Sequence, residues 1–239
     1  MSLYSERGVV LRTIKLGEAD RIITFMTLGR GKVRAVAKGV RRTKSRFGAR
    51  LEPMVHVSLL LYEGRELDVV TQAESIDHFR ALREDLDGVG RAAAMLEAVE
   101  QVAQERHADP RLYRMLVGAL RALSETGSAL VVPAFFLKLL ALEGFAPVLE
   151  RCASCGDGDV ELIAFDLEQG GALCRSCRRG EGIDADTLAL MGRILGGGLA
   201  SVLAEDRPAG AGRIEAVASR AMEHHLERRL RSLRVLDRT

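Results

Sequence analysis

The 239-residue chain has no tryptophan, four cysteines, five prolines and an aromatic content of only 4%. Its longest uncharged apolar run, residues 129–137, has nine residues and includes a proline. That is about half of what a bilayer crossing needs, so no membrane partner is expected. The opening residues, Ser2-Leu3-Tyr4-Ser5-Glu6-Arg7, lack the apolar core of a secretory leader. Both absences point to a reducing, cytoplasmic setting in which thiols stay free. Catalytic signatures are missing as well. Gly29-Arg30-Gly31-Lys32 fails the phosphate-loop pattern at both ends, with Met26 where a glycine is needed and Val33 after the lysine. His56, His78, His107, His224 and His225 are scattered and form no metalloprotease motif. The expectation is a protein that is not an enzyme.

One absence is local. From Arg30 to Arg50 there is no Asp or Glu, yet nine residues are basic: Arg30, Lys32, Arg34, Lys38, Arg41, Arg42, Lys44, Arg46 and Arg50. Net charge over the whole chain is only +2, but residues 1–80 hold 15 basic and 9 acidic residues, a net of +6. Soluble surfaces ordinarily intersperse the two signs. A like-charge run is tolerated where a polyanion neutralises it, so these nine residues are the expected nucleic-acid contacts, with Phe47 among them as a ring able to stack on a base. The bland alternative is a mobile solvated loop. No base-reading motif is visible, so sequence-independent binding is expected.

All four cysteines fall in two pairs, Cys152-x-x-Cys155 and Cys174-x-x-Cys177, with 18 residues between the pairs. Each pair presents two sulfurs from one tight turn, and the spacer is long enough for the turns to meet. The set predicts one structural Zn2+ held by Cys152, Cys155, Cys174 and Cys177, with no open coordination position for catalysis. Disulfides or four unrelated core thiols are the alternatives, and a reducing compartment disfavours disulfides.

Hydrophobic periodicity divides the chain. Residues 8–15, 21–27, 32–37, 55–62 and 67–72 are short, β-branched runs separated by glycine-rich turns. Five such strands without intervening helices predict a closed OB-fold barrel, with an SH3-like barrel as the structural alternative. Alternation puts Lys32 and Arg34, and Lys38 if the strand reaches it, on one barrel face. From about Ile76 the period becomes helical. Asp109-Pro110 marks a helix start, and residues 130–143 are apolar nearly all round, with Gly144 to end them. Between the cysteine pairs, residues 161–166 and 171–173 predict a hairpin around Gln169-Gly170. Ile214, Val217, Met222, Leu226, Leu230, Leu233 and Leu236 predict an amphipathic terminal helix, preceded by a break at residues 206–212. The fold class expected is multidomain α+β: an OB-fold at 1–80, helices at 81–150, an inserted zinc-ribbon-like module at 151–180 and further helices at 181–239.

These pieces resemble the RecO family of bacterial recombination mediators over essentially the whole chain. The resemblance is carried by Gly8-Val9-Val10-Leu11, Gly17-Glu18-Ala19-Asp20-Arg21-Ile22, Gly29-Arg30-Gly31-Lys32, Ala37-Lys38-Gly39-Val40-Arg41-Arg42 and Leu51-Glu52-Pro53. Phe135 to Pro147, then His225-Leu226, Arg229-Leu230 and Arg231-Ser232-Leu233, complete it. It implies an OB-fold, a helical domain and an inserted zinc module in a nucleoid-associated bacterial protein. It also implies binding of single- and double-stranded DNA and annealing of complementary strands. The implied partners are RecR, the acidic, apolar tail of single-strand-binding protein and, indirectly, the RecA recombinase. The zinc reading rests on this chain's own spacing. Two rival functions remain at this level. One is a zinc-containing scaffold that binds RNA. The other, less favoured, is a nuclease, which would need acidic metal ligands beside the basic run.

Overall fold

The computed structural model describes residues 2–233. These divide into two compact units, one reaching Gly127 and rejoined by the chain from Arg231, the other spanning Ser128–Leu230. The helices expected at 81–150 are thus shared between the two.

In the first unit, β1 (Leu3–Leu16), β2 (Asp20–Thr27), β3 (Gly31–Ala37), β4 (His56–Tyr62) and β5 (Asp68–Asp77) close into a barrel in the order β1-β2-β3-β5-β4. β1 is long enough to pair twice, with β4 over Leu3–Val9 and with β2 over Gly8–Leu16. It turns the corner at Gly8, where a Cβ would lie 3.3 Å from the Met26 carbonyl, and at a bulge between Val10 and Arg12. A glycine and a bulge are the devices that bend a strand around a small barrel. The parallel β3–β5 pairing, Ala35 against Asp68 and Val36 against Val69, closes the ring in OB-fold order rather than that of an SH3-like barrel. β5 runs to Asp77, five residues beyond the run read from the sequence.

A 3-10 turn at Gly48–Leu51 plugs the barrel, and Phe47 and Leu51 are each 1% exposed in a core with Val10, Ile23, Phe25 and Leu61. Burying such a side chain contributes about 2 kcal/mol. The short helix α1 (Arg80–Arg83) leads into α2 (Leu86–Val102) and α3 (Pro110–Thr126), capped by Asp85 and Asp109, whose carboxylates accept first-turn N–H groups. α2 and α3 pack on β1 and β2, where Val9 and Met26 are fully buried. Across this contact the buried ring of His56 meets the Tyr113 hydroxyl at 2.6 Å.

The second unit is built on α4 (Val131–Leu142), whose side chains are mostly buried, packed by α5 (Ala185–Leu195) and α7 (Ala211–His225), with the short α6 (Leu199–Ala204) beside α5. Gly144, at φ +89°, follows α4, and the Phe145 N–H bonds back to the Leu140 carbonyl. β6 (Leu162–Asp166), β7 (Gly171–Cys174) and β8 (Glu181–Gly182) form a three-stranded sheet with β6 central, and the hairpin turns where expected. The amphipathic terminal helix stops earlier than its apolar spacing predicts. Glu227, at φ +52°, leaves the helical region, and the Leu230 N–H is taken by the Glu223 carboxylate instead of a helix carbonyl. Leu226, Leu230 and Leu233 therefore lie beyond α7, and Leu236 lies outside the described residues.

Candidate nucleic-acid interface and metal centre

The nine basic residues separate into two groups. Arg30, Lys32 and Arg34 stand where the chain between α2 and α3 meets β3. The Lys32 N–H bonds to the Gln104 carbonyl, and the Arg106 N–H returns to the Lys32 carbonyl. Lys32 Nζ donates to the Glu100 carbonyl at 2.8 Å. Arg34 lies 3.9 Å from the Glu105 carboxylate. The Arg30 guanidinium caps the Tyr4 ring and donates to Glu63 at 3.2 Å. Glu63 also meets Arg106, and Asp68, almost fully buried, binds Arg106 at 3.0 Å and accepts the Tyr4 hydroxyl at 2.5 Å. Burial and that bond to Asp68 hold the Tyr4 hydroxyl well above its ordinary pKa. The hydrogen bonds from Ser2 and Arg30 lower the Glu63 carboxyl. This end of the basic run is tied into the protein.

Lys38, Arg41, Arg42, Lys44, Arg46 and Arg50 lie beyond β3 on the segment leading to the 3-10 turn, and all six are exposed. Among the described residues none of the six is in an ion pair. Their backbone is held by the turn between β1 and β2: the Asp20 carboxylate accepts the Gly39 N–H at 2.7 Å, and the Arg41 N–H reaches the Ala19 carbonyl. The Arg41 guanidinium donates to the carbonyls of Gly17 and Glu18, and Arg50 to those of Arg46 and Phe47. These neutral acceptors orient the two side chains without cancelling their charge. Antiparallel register adds a cation that the sequence reading did not include. Lys15 on β1 lies opposite Arg21 on β2, itself opposite Ala37 just before Lys38, and Lys15 is exposed. Its separation in sequence from the basic run hid it.

Phe47 does not serve as a stacking ring. At 1% exposure it is part of the barrel core, and Arg46 covers its ring at 4.8 Å. A lone aromatic in a polar loop is more stabilising as an anchor in the barrel than as an exposed platform. No other aromatic occurs between Arg30 and Arg50.

In the second unit the four cysteine sulfurs lie within 4.8 Å of one another, all as free thiols. Cys152 and Cys174 are buried, Cys177 is half-buried and Cys155 is exposed. The Gly156 N–H closes the first turn on the Cys152 carbonyl, the Cys177 N–H closes the second on Cys174, and the Cys174 N–H points at Cys152 Sγ. N–H donors from Cys155 and Cys174 lower the Cys152 thiol, whereas hydrogen bonds to the Cys174 and Cys155 sulfurs raise Cys177. Clustered thiols resist ionising together unless a cation compensates them. The donor set can hold a soft or borderline metal ion.

The family model for the recombination protein O N-terminal region matches residues 1–79, and that for the recombination protein O C-terminal region matches residues 83–234. The chain belongs to the recombination protein O family. Among curated RecO relatives, the DNA repair protein RecO of Nocardioides sp. is 44% identical over 99% of this chain and all of its own length. The DNA repair protein RecO of Frankia casuarinae is 44% identical over the full length of both, and that of Bifidobacterium longum is 41% identical over 99% of this chain. The boundary between the two RecO regions, at residues 80–82, falls just after the barrel, whereas the compact units divide at Gly127. Two of the segments that resemble RecO, Gly17 to Ile22 and Ala37 to Arg42, are the pair hydrogen-bonded to each other beneath the exposed cations.

Proposed function

We propose that the protein is a recombination mediator that binds single- and double-stranded DNA without reading sequence and anneals complementary strands. The observation that carries this reading is the group of six exposed cations, Lys38, Arg41, Arg42, Lys44, Arg46 and Arg50, with no carboxylate partner among the described residues. Annealing needs no bond-making by the protein. It needs the repulsion between two backbones neutralised while the bases stay free to pair, and base pairing then supplies the free energy. With Phe47 buried, the interface works by charge rather than stacking, so duplex and single strand are both ligands. Among the described residues no group of carboxylates converges as metal ligands, which argues against a nuclease. A preference for DNA over structured RNA separates the mediator from the RNA-binding scaffold.

The cysteine cluster is assigned to one structural zinc. Four thiolates at about 2.3 Å from a tetrahedral ion have edges of about 3.8 Å, compatible with sulfurs already within 4.8 Å. Zinc would join the two turns that flank β6 and β7 and leave no coordination position for substrate. Zinc bound to four thiolates does no chemistry on DNA.

The partners assigned are DNA, RecR, the tail of single-strand-binding protein and, through them, the RecA recombinase. The assignment of cytoplasmic, nucleoid-bound location follows from the DNA ligand, and no described helix is long and apolar enough to cross a membrane. The test is annealing of complementary oligonucleotides precoated with single-strand-binding protein. Acceleration that weakens steeply with salt supports the reading. No acceleration, or stronger binding to structured RNA than to DNA, overturns it.

A further inference from the structure

The second unit contains a cavity of about 570 Å³ lined by none of the four cysteines and none of the residues proposed to contact DNA. Leu140 of α4, Pro147, Val148 and Phe165 of β6 supply its apolar wall. Phe145, one of the few exposed large apolar residues, stands at its mouth at 61% exposure, packed on the His225 ring at 4.4 Å. A second cavity of about 380 Å³ adjoins it and shares Phe165, Leu167, Glu168 and His224, so the two read as one groove. Exposed aromatic surface at the mouth of a concave apolar site is the usual mark of a docking position for an apolar side chain.

The charges around it choose the partner. Glu168 borders both cavities, Glu227 the first and Asp166 the second, and among the described residues none of the three is in an ion pair with a cation. The arginine on this rim, Arg220, is bound to Glu181. The groove is therefore apolar inside and anionic at its edge. An acidic peptide meets repulsion here. A peptide with an apolar anchor and flanking Lys or Arg meets complementarity. Glu227 adds a second observation. It sits at φ +52°, the left-handed position after α7 where glycine is the ordinary residue, and a glutamate lines the groove there despite that backbone cost.

We propose that this groove docks a basic, amphipathic segment of a protein partner, its apolar residues in the cavity and its cations against Asp166, Glu168 and Glu227. The groove shares no residue with the cationic segment proposed for DNA, and its failure leaves that reading intact.

The test uses the full chain and short fluorescein-labelled peptides that share one Leu/Phe core and differ only in Lys, Ser or Glu flanks, followed by anisotropy. The Lys-flanked peptide is expected to bind about tenfold more tightly than the Glu-flanked one. Charge reversal with Glu168→Lys and Glu227→Lys should remove or invert that preference while leaving oligonucleotide affinity unchanged. Ala221→Trp, which fills the cavity from α7, separates this groove from the basic segment, because only groove binding is lost in it. Thermal melts check that each variant folds, and the charge reversal serves if Ala221→Trp does not. Equal affinity for the three peptides, a stronger Glu-flanked peptide whose binding Ala221→Trp abolishes, or Lys-flanked binding insensitive to both sets of substitutions would overturn the proposal.

Discussion

If the exposed cations bind phosphates, the salt dependence of DNA binding counts them. Each single-strand phosphate contact contributes about −0.7 to the slope of log K against log salt, so six contacts give a slope of about −4. The informative double variant is Arg42→Ala with Lys44→Ala. Neither side chain is in an ion pair among the described residues, whereas Arg41 and Arg50 also hold backbone carbonyls and their loss would disturb the loop. Removing two contacts should bring the slope to about −3. At about 0.1 M monovalent salt each contact is worth about 0.7 log units, so affinity should fall about 25-fold. Arg30→Ala is the contrast, because Glu63 already neutralises that guanidinium, and its effect should stay within about twofold. The measurement is anisotropy of a labelled poly-thymidine strand titrated at several salt concentrations between about 50 and 200 mM. A double variant with an unchanged slope, or an Arg30 variant as damaging as the double one, would refute the division into free and occupied cations.

Three other outcomes follow from the geometry. Cys174→Ser should lower bound zinc from one ion per chain to none and speed amide exchange across β6 and β7, because folding of this module is linked to the metal. Retention of a full equivalent of zinc would contradict the four-thiolate assignment. Tyr113→Phe removes the partner of His56 Nε2 beside an Nδ1 that already has no partner, and should cost about 1–3 kcal/mol in urea unfolding. Burial lowers the His56 pKa below its unfolded value, so that contribution is complete above about pH 6.5 and declines as the pH falls through the lower folded value. His56→Gln should flatten this part of the profile of thermal midpoint against pH. Glu227→Gly relieves the left-handed backbone after α7 and should stabilise the protein by about 1 kcal/mol, read from the same unfolding curves, while weakening the Lys-flanked peptide.

What could be read from the chain alone was whatever is encoded within a few residues. Alternation showed the strands, Asp109-Pro110 a helix start, and the paired cysteines a metal cluster, because one turn or one strand sets each of those patterns. The charge of the Arg30–Arg50 run was visible for the same reason. Tertiary contact decided how that charge is used. Glu63, Glu100 and Glu105 are 33 to 71 residues away from Arg30, Lys32 and Arg34, so no local pattern could show that three of the nine cations are occupied. Phe47 shows the same limit: a ring in a polar loop has no periodicity, and only closure of the barrel by β1 against β4 creates the core that takes it. The early end of α7 depends on a carboxylate, Glu223, capturing an N–H seven residues on. Side-chain chemistry along the chain indicates which groups are able to meet a polyanion or a metal. Packing between distant segments determines which of them remain free to do so, because burial and ion pairing are set by neighbours in space.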